Sequence, residues 1–331
     1  MKFKLSTLLV GSAALAMTMI SAPVSAVAGA EFPPRQMEII VPHGVGSSQD
    51  RITRALGKEW EEIIKTSFKY NNKKGGSTRI GFDYFLQRSQ KQLLSTNPAV
   101  AVLMYLQQKP DWKWNEEVVP VGMIALDPGA IYVRAESPLK SMEDVLAEAR
   151  KRTLTVAITH WTSPENLVLH QIMDYTGVKF EVIPYGESKV AVTQVLGGHV
   201  DFGLDKMVAI NSAGPGVMRY LAITMDENTV PEITNDAPPL SEVLGQETVQ
   251  AAAYRTVYAH KSILDTNPEG YKKLVESMRE AKKTQAFLEE VKKFQLDPKL
   301  VVDWKPKKIQ SINDAYEKAF AKYGSVLTES K

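Results

Sequence analysis

Two hydrophobic periods alternate along the chain. Short runs rich in β-branched and aromatic residues predict strands over 37–41, 68–72, 93–96, 118–125, 130–134, 154–159, 180–183, 199–205, 219–224 and 251–259. Between them the apolar positions recur every three or four residues, as in a helix. Ile52, Ala55, Leu56, Trp60, Ile63 and Ile64 share one such face. Near the C-terminus, Tyr271, Leu274, Val275 and Met278 form another, and Ile312, Ala315, Tyr316, Ala319 and Phe320 a third. Helix starts are marked by Ser141 with Asp144, Ser163 with Pro164, Asn267 with Pro268, and Ser311 with Asp314. Residues 111–114 read as a loop whose two tryptophans are packing anchors, and 231–239 as a proline-rich surface loop. The alternation predicts α/β domains with mostly parallel sheets, which bind ligands outside the carboxyl ends of their strands.

The first strand is followed by a turn with candidate chemistry. Pro42 ends the strand, Gly44 and Gly46 let the backbone turn, and Ser47 with Asp50 resembles a capping box opening the next helix. Strand, glycine loop and helix start direct unpaired N–H groups at one point, an anion site needing no lysine or arginine. His43, Gly44, Val45, Gly46, Ser47 and Ser48 are its candidate residues, with Asp50 as a cap that shapes the loop. The strand at 154–159 leads into a second such corner, His160-Trp161-Thr162-Ser163, with Pro164 in the first helical position. Thr96, Asn97 and Asp205 are further lining candidates. Trp161 either packs at a hinge or stacks on a planar ligand, in which case aromatic carboxylates bind at least as well as citrate-like acids. If His43 and His160 both face the cleft, their protonation strengthens anion binding between about pH 8 and 5.5.

Composition narrows the setting. Residues 1–26 have a basic start (Lys2, Lys4), an apolar run and a small-residue cleavage site, with a second cut near residue 30: a secretory signal. With no cysteine the chain carries no lipid anchor or disulfide, which fits a periplasmic address. The formal net charge of +2 disappears with the two leader lysines, leaving 38 basic and 38 acidic residues. A balanced chain is a poor partner for nucleic acid or anionic membranes. No nucleophile elbow, zincin motif, Walker or Rossmann glycine pattern, or metal-ligand histidine spacing is present, so the sequence points to no enzyme, metal or cofactor.

The order of short motifs is more informative than any one of them. Ile39-Ile40-Val41-Pro42 with its Gly-containing loop and Ser47-Ser48-Gln49-Asp50 is followed by Asn72-Lys73-Lys74-Gly75-Gly76 and Val119-Pro120-Val121-Gly122. Ile183-Pro184-Tyr185, Leu196-Gly197-Gly198-His199-Val200-Asp201 and Leu221-Ala222-Ile223-Thr224 complete the series. Together they resemble the periplasmic substrate-binding proteins of tripartite tricarboxylate transporters, the Bug family, over nearly all of the chain after the leader. The resemblance implies a two-lobed periplasmic binding protein of the type II, Venus-flytrap class, hinged by crossover strands. One lobe would hold 31–127 and 254–331, the other 128–253. It further implies a monomeric receptor that grips a small organic carboxylate, aromatic or an aliphatic di- or tricarboxylate, with two loops, here 43–50 and 160–166. Membrane transporter subunits would take the ligand from it. A periplasmic sensor feeding a membrane histidine kinase, or a hydrolase or lyase of small acids, are the alternatives. The chain departs from the family pattern at His43, Val45 and Ser47-Ser48 in the first loop and at Trp161, Pro164 and Asn166 in the second.

Overall fold

The chain changes sheet at a single point, Asp127-Pro128-Gly129, and returns near Ala253. In the computed structural model, which describes residues 32–328, the strands form two five-stranded sheets. The leader expected over 1–26 lies outside the described residues. The first sheet contains β1 (Gln36–Val41), β2 (Ser67–Asn72), β3 (Gln92–Thr96) and β4 (Val118–Asp127). The second contains β5 (Gly129–Arg134), β6 (Leu154–Ile158), β7 (Phe180–Pro184), β8 (Phe202–Lys206) and β9 (Met218–Ile223). Then β10 (Ala253–His260) re-enters the first sheet. The orders are β2-β1-β3-β10-β4 and β7-β6-β8-β5-β9.

Each sheet has a parallel trio and one antiparallel strand beside it: β10 runs against β3 and β4, and β5 against β8 and β9. The sequence pattern predicts mostly parallel sheets. The departure falls on the strands received from the other sheet, which do not return through a helix on the same face and so need not run parallel. This exchange makes a two-lobed molecule with crossover strands.

Helices cover the sheets, and four matter below: α1 (Ser48–Ile64), α2 (Pro98–Gln108), α3 (Pro164–Thr176) and α4 (Pro306–Thr328). The amphipathic face of α1 buries Ile52, Leu56, Trp60 and Ile64, and the Trp60 indole donates to Ser277 Oγ. The β1 run Ile39-Ile40-Val41 is almost fully buried. Ser141 and Asp144 form the reciprocal capping box the sequence indicates. Three local expectations are corrected. The last helix begins at Pro306, since a proline in the first turn is itself a start signal; Ser311 Oγ donates to the Lys308 carbonyl. Residues 231–239 are not all surface loop, because Pro231 opens a short helix, Pro231–Thr234, and Thr234 is fully buried. Trp114, buried as an anchor, starts a helical turn, Trp114–Glu117.

α4 packs against elements of both lobes. It packs against α2 and β4, and its last turns reach α3, where the Lys322 ammonium and Tyr323 hydroxyl donate to Asp174 at 2.6 and 2.8 Å. Thr162 Oγ1 donates to the Leu327 carbonyl.

The two crossover segments touch at Gly129, where a Cβ would sit 1.8 Å from the Ala251 carbonyl oxygen. That oxygen is backbone and cannot rotate aside. Gly129→Ala is therefore expected to lower stability by roughly 1–3 kcal/mol through overpacking. The check is the urea midpoint at unchanged m; an unaltered midpoint would show that the crossover relaxes freely.

Candidate functional site

The loop after β1 is shaped by its own side chains. Gly46 takes a left-handed φ of 78°. Ser47 caps α1, its Oγ accepting from the Asp50 amide at 3.3 Å. Asp50 folds back, its Oδ2 accepting from the Gly46 amide at 2.8 Å while Oδ1 accepts from Arg54 Nε and Asn72 Nδ2. Burial works against this carboxylate, but the donors on Gly46, Asn72 and Arg54 outweigh it and hold its pKa below the usual value. The Ser47 amide goes to the Gly44 carbonyl. Two of the N–H groups the glycine loop offers are thus used internally. The amides of Ser48 and Gln49 remain, in the first turn of α1, where no carbonyl four residues back exists for them.

Beside that turn stands a side chain absent from the sequence expectation. Arg255, on β10, donates through Nη1 to Ser48 Oγ at 3.3 Å and through Nη2 to Asp127 Oδ2 at 3.0 Å. Asp127 Oδ1 accepts from the Val208 amide of the other lobe at 3.1 Å. Burial pushes the Asp127 pKa up and the Arg255 pKa down, and their mutual attraction does not fully offset it. A guanidinium is thereby fixed at the positive end of α1.

The second corner is different. Ser163 caps α3 by accepting from the Asn166 amide, its own amide goes to the Trp161 carbonyl, and Pro164 has none. The buried Glu165 occupies the first turn of α3 and contacts the Lys206 ammonium. The sequence predicts a second cradle of free N–H groups here; most are consumed or missing, because the cap chemistry that starts the helix uses them.

A cleft of about 460 Å³ opens between the lobes. Of the candidate residues, His43, Ser47, Ser48, Asn97, His160 and Asp205 line it. Thr96 is buried behind His43, its Oγ1 3.4 Å from His43 Nε2. Gly44 and Gly46 form the turn outside the lining, and Val45 points to solvent. Trp161, Thr162 and Ser163 are not lining residues, and Thr162 faces the end of α4 instead. Trp161 is absent from the lining, so of its two readings the structure gives no support to stacking on a ligand; the lining's aromatic rings are the imidazoles of His43 and His160.

The cleft also contains Asp127, Lys206 and Arg255, which the sequence reading missed, and Gln49, which lies within the expected loop 43–50 without having been singled out. Arg255 is the one charge in the apolar run 251–259, and Lys206 stands at the carboxyl end of a strand. Those signals were available. Gln49 Nε2 donates to Ser95 Oγ, while its Oε1 is buried with no hydrogen-bond partner among the described residues. Among the described residues no group of three His, Asp or Glu side chains could hold a metal.

With this geometry in place, known proteins can be compared. Residues 89–324 match the tripartite tricarboxylate transporter family receptor. The chain belongs to that family. The protein BugT of Bordetella pertussis is 27% identical over 277 residues, covering 82% of each chain. A TctC solute-binding protein from Polaromonas superposes with a TM-score of 0.75 at 20% identity, covering 90% of this chain and 99% of the other. An R. palustris protein solved with adipate superposes with a TM-score of 0.67 at 21% identity, over 90% and 99%. At such identities the structural matches establish the fold of this receptor-family chain, a two-lobed solute-binding protein.

Charge on His43 changes the pH expectation for this family member. Burial, with Arg255 nearby, lowers its pKa to about 4, so it gains no proton between pH 8 and 5.5. Buried His260, stacked on Phe85, is also lowered to about 4. Both are neutral when folded and titrate near 6.5 when unfolded, so the unfolded chain binds more protons between these values. Stability should therefore fall as pH drops from about 6.5 toward 4. Denaturant midpoints against pH test this, and the double variant His43→Gln/His260→Gln should show a flatter profile than the wild type.

Proposed function

We propose that this protein is a periplasmic solute receptor whose lobes, 31–127 with 254–331 and 128–253, close over a small organic carboxylate and pass it to a membrane transporter. Residues 1–26 act as the export signal, and the receptor works as a monomer without altering its ligand. The observation that carries the reading is the Arg255 guanidinium, held against Ser48 where α1 opens into the cleft. A carboxylate placed there meets charge-assisted donors from the side chain and amides from the first helical turn. His43, Asn97, His160 and Asp205 complete the lining, and the absence of any Trp, Tyr or Phe from it favours aliphatic over aromatic acids. The family match and the adipate-bound structural relative support a carboxylate as the ligand class.

A thermal-shift panel of aliphatic and aromatic mono-, di- and tricarboxylates tests the proposal. An acid at 100 times its Kd stabilises the folded state by about 2.7 kcal/mol, readily seen as a rise in Tm. Aliphatic acids should shift the midpoint more than aromatic ones, and the bound acid should be recovered unchanged. A panel with no shift would refute the reading. Arg255→Lys, which keeps the charge but loses the forked geometry, should weaken binding by roughly tenfold to a hundredfold in calorimetric titration.

A further inference from the structure

A second cavity, of about 260 Å³, lies beside the returning crossover and shares no lining residue with the cleft. A water takes roughly 30 Å³ in the liquid, so the space admits a small molecule. Its walls come from both sides of the crossover. Asp226 follows β9 of the second sheet and Glu247 precedes the crossover itself, while Tyr254 lies on β10 and Trp304 and Lys308 at the start of α4. Gln250 fixes the base. Its carbonyl accepts from the Tyr254 and Tyr316 hydroxyls at 3.1 and 2.8 Å, and its Nε2 donates to Asp226 Oδ2.

The charges around this cavity are not matched to one another. The Glu247 carboxylate has neither hydrogen bond nor ion pair among the described residues, and that of Asp226 has only the Gln250 amide. The one cation in the lining, Lys308, does not cross to them. Its ammonium lies over the Trp304 ring, 4.0 Å from the centroid, and makes no ion pair among the described residues. Two carboxylates against one ammonium leave the lining with a formal charge of −1. An indole face attracts a cation through its quadrupole, the more strongly the less water covers it. The protein's own alkylammonium occupies that face, so the ring is within reach of such a group. Lys308 is exposed, and its side chain can leave the ring without disturbing the core.

We propose that this cavity is a binding site for a small organic cation, an alkylammonium or quaternary ammonium group, which replaces Lys308 on Trp304 and has Asp226 and Glu247 as its counter-charges. The site is separate from the carboxylate cleft and does not rest on the receptor reading. Its occupant touches both sides of the crossover.

Saturation-transfer NMR titrations of the purified protein test this, since they read weak binding directly. The probes are butylammonium with butanol, and choline with its uncharged carbon analogue, in which a tert-butyl group replaces the trimethylammonium. At least one cation should bind saturably and about fivefold or more tighter than its uncharged counterpart. Asp226→Asn/Glu247→Gln, which keeps an acceptor for Gln250, should weaken that cation roughly threefold or more and leave the counterpart unchanged. Lys308→Ala bares the ring and should tighten the cation by about threefold or more. Lys307→Ala, on the same helix but outside the cavity, should change it by less than about twofold. Trp304→Leu should abolish saturable binding; should it fail to fold, the other variants, all at exposed side chains, carry the test. Binding of neither cation, or equal binding of a cation and its counterpart, would overturn the assignment. Weaker cation binding in Lys308→Ala would also overturn it.

Discussion

The cleft is organised by a buried ion pair that is not there to hold the protein together. Arg255 and Asp127 are both pushed toward their neutral forms by burial, so the pair is a weak contributor to stability. Its value is positional. Asp127 sits at the point where the chain leaves the first sheet and also accepts an amide from the second lobe; Arg255 sits on the returning strand and touches the cap region of α1. One pair of side chains therefore registers two crossover strands, a helix start and the neighbouring lobe. Removing either partner would leave the other charge stranded in a site nearly closed to water.

Much of the architecture was legible from hydrophobic period and cap chemistry. The β1 run, the apolar face of α1 and the Ser141–Asp144 box are local features that tertiary packing had no reason to override. The two lobes came from a resemblance carried by ordered motifs. The antiparallel crossover strands were not visible, because a strand's direction depends on where the chain has been and not on its own residues. At the site, the first corner was readable since glycines and a capping serine act on neighbours close in sequence. Arg255 was marked in sequence only as a lone charge in an apolar strand; its partner was not readable, because it reaches Ser48 from 207 positions away. The second corner was misjudged in an instructive way: Ser163 and Pro164 mark a helix start correctly, and the same residues use up or lack the N–H groups that a ligand would need.

The pairing of carboxylates with cations recurs on both sides of the cleft. Asp127 pairs with Arg255 as Glu165 and Asp205 flank Lys206, and Asp127 and Asp205 line the cleft themselves. Long flexible side chains lose conformational freedom when they bind, and a fixed counter-charge removes much of that freedom in advance. A ligand bound as proposed would meet side chains already oriented.

Along α4 the lobes are tied through contacts of another kind. The Lys322–Asp174 pair is solvent-exposed on both sides, 60% and 42% accessible, and such pairs contribute little. The rest of this contact is not ionic: Tyr323 also donates to Asp174, Thr162 donates to the Leu327 carbonyl, and Tyr316, Tyr323 and Leu327 are buried. Salt in the surrounding medium therefore weakens only the ion-pair part of the tie.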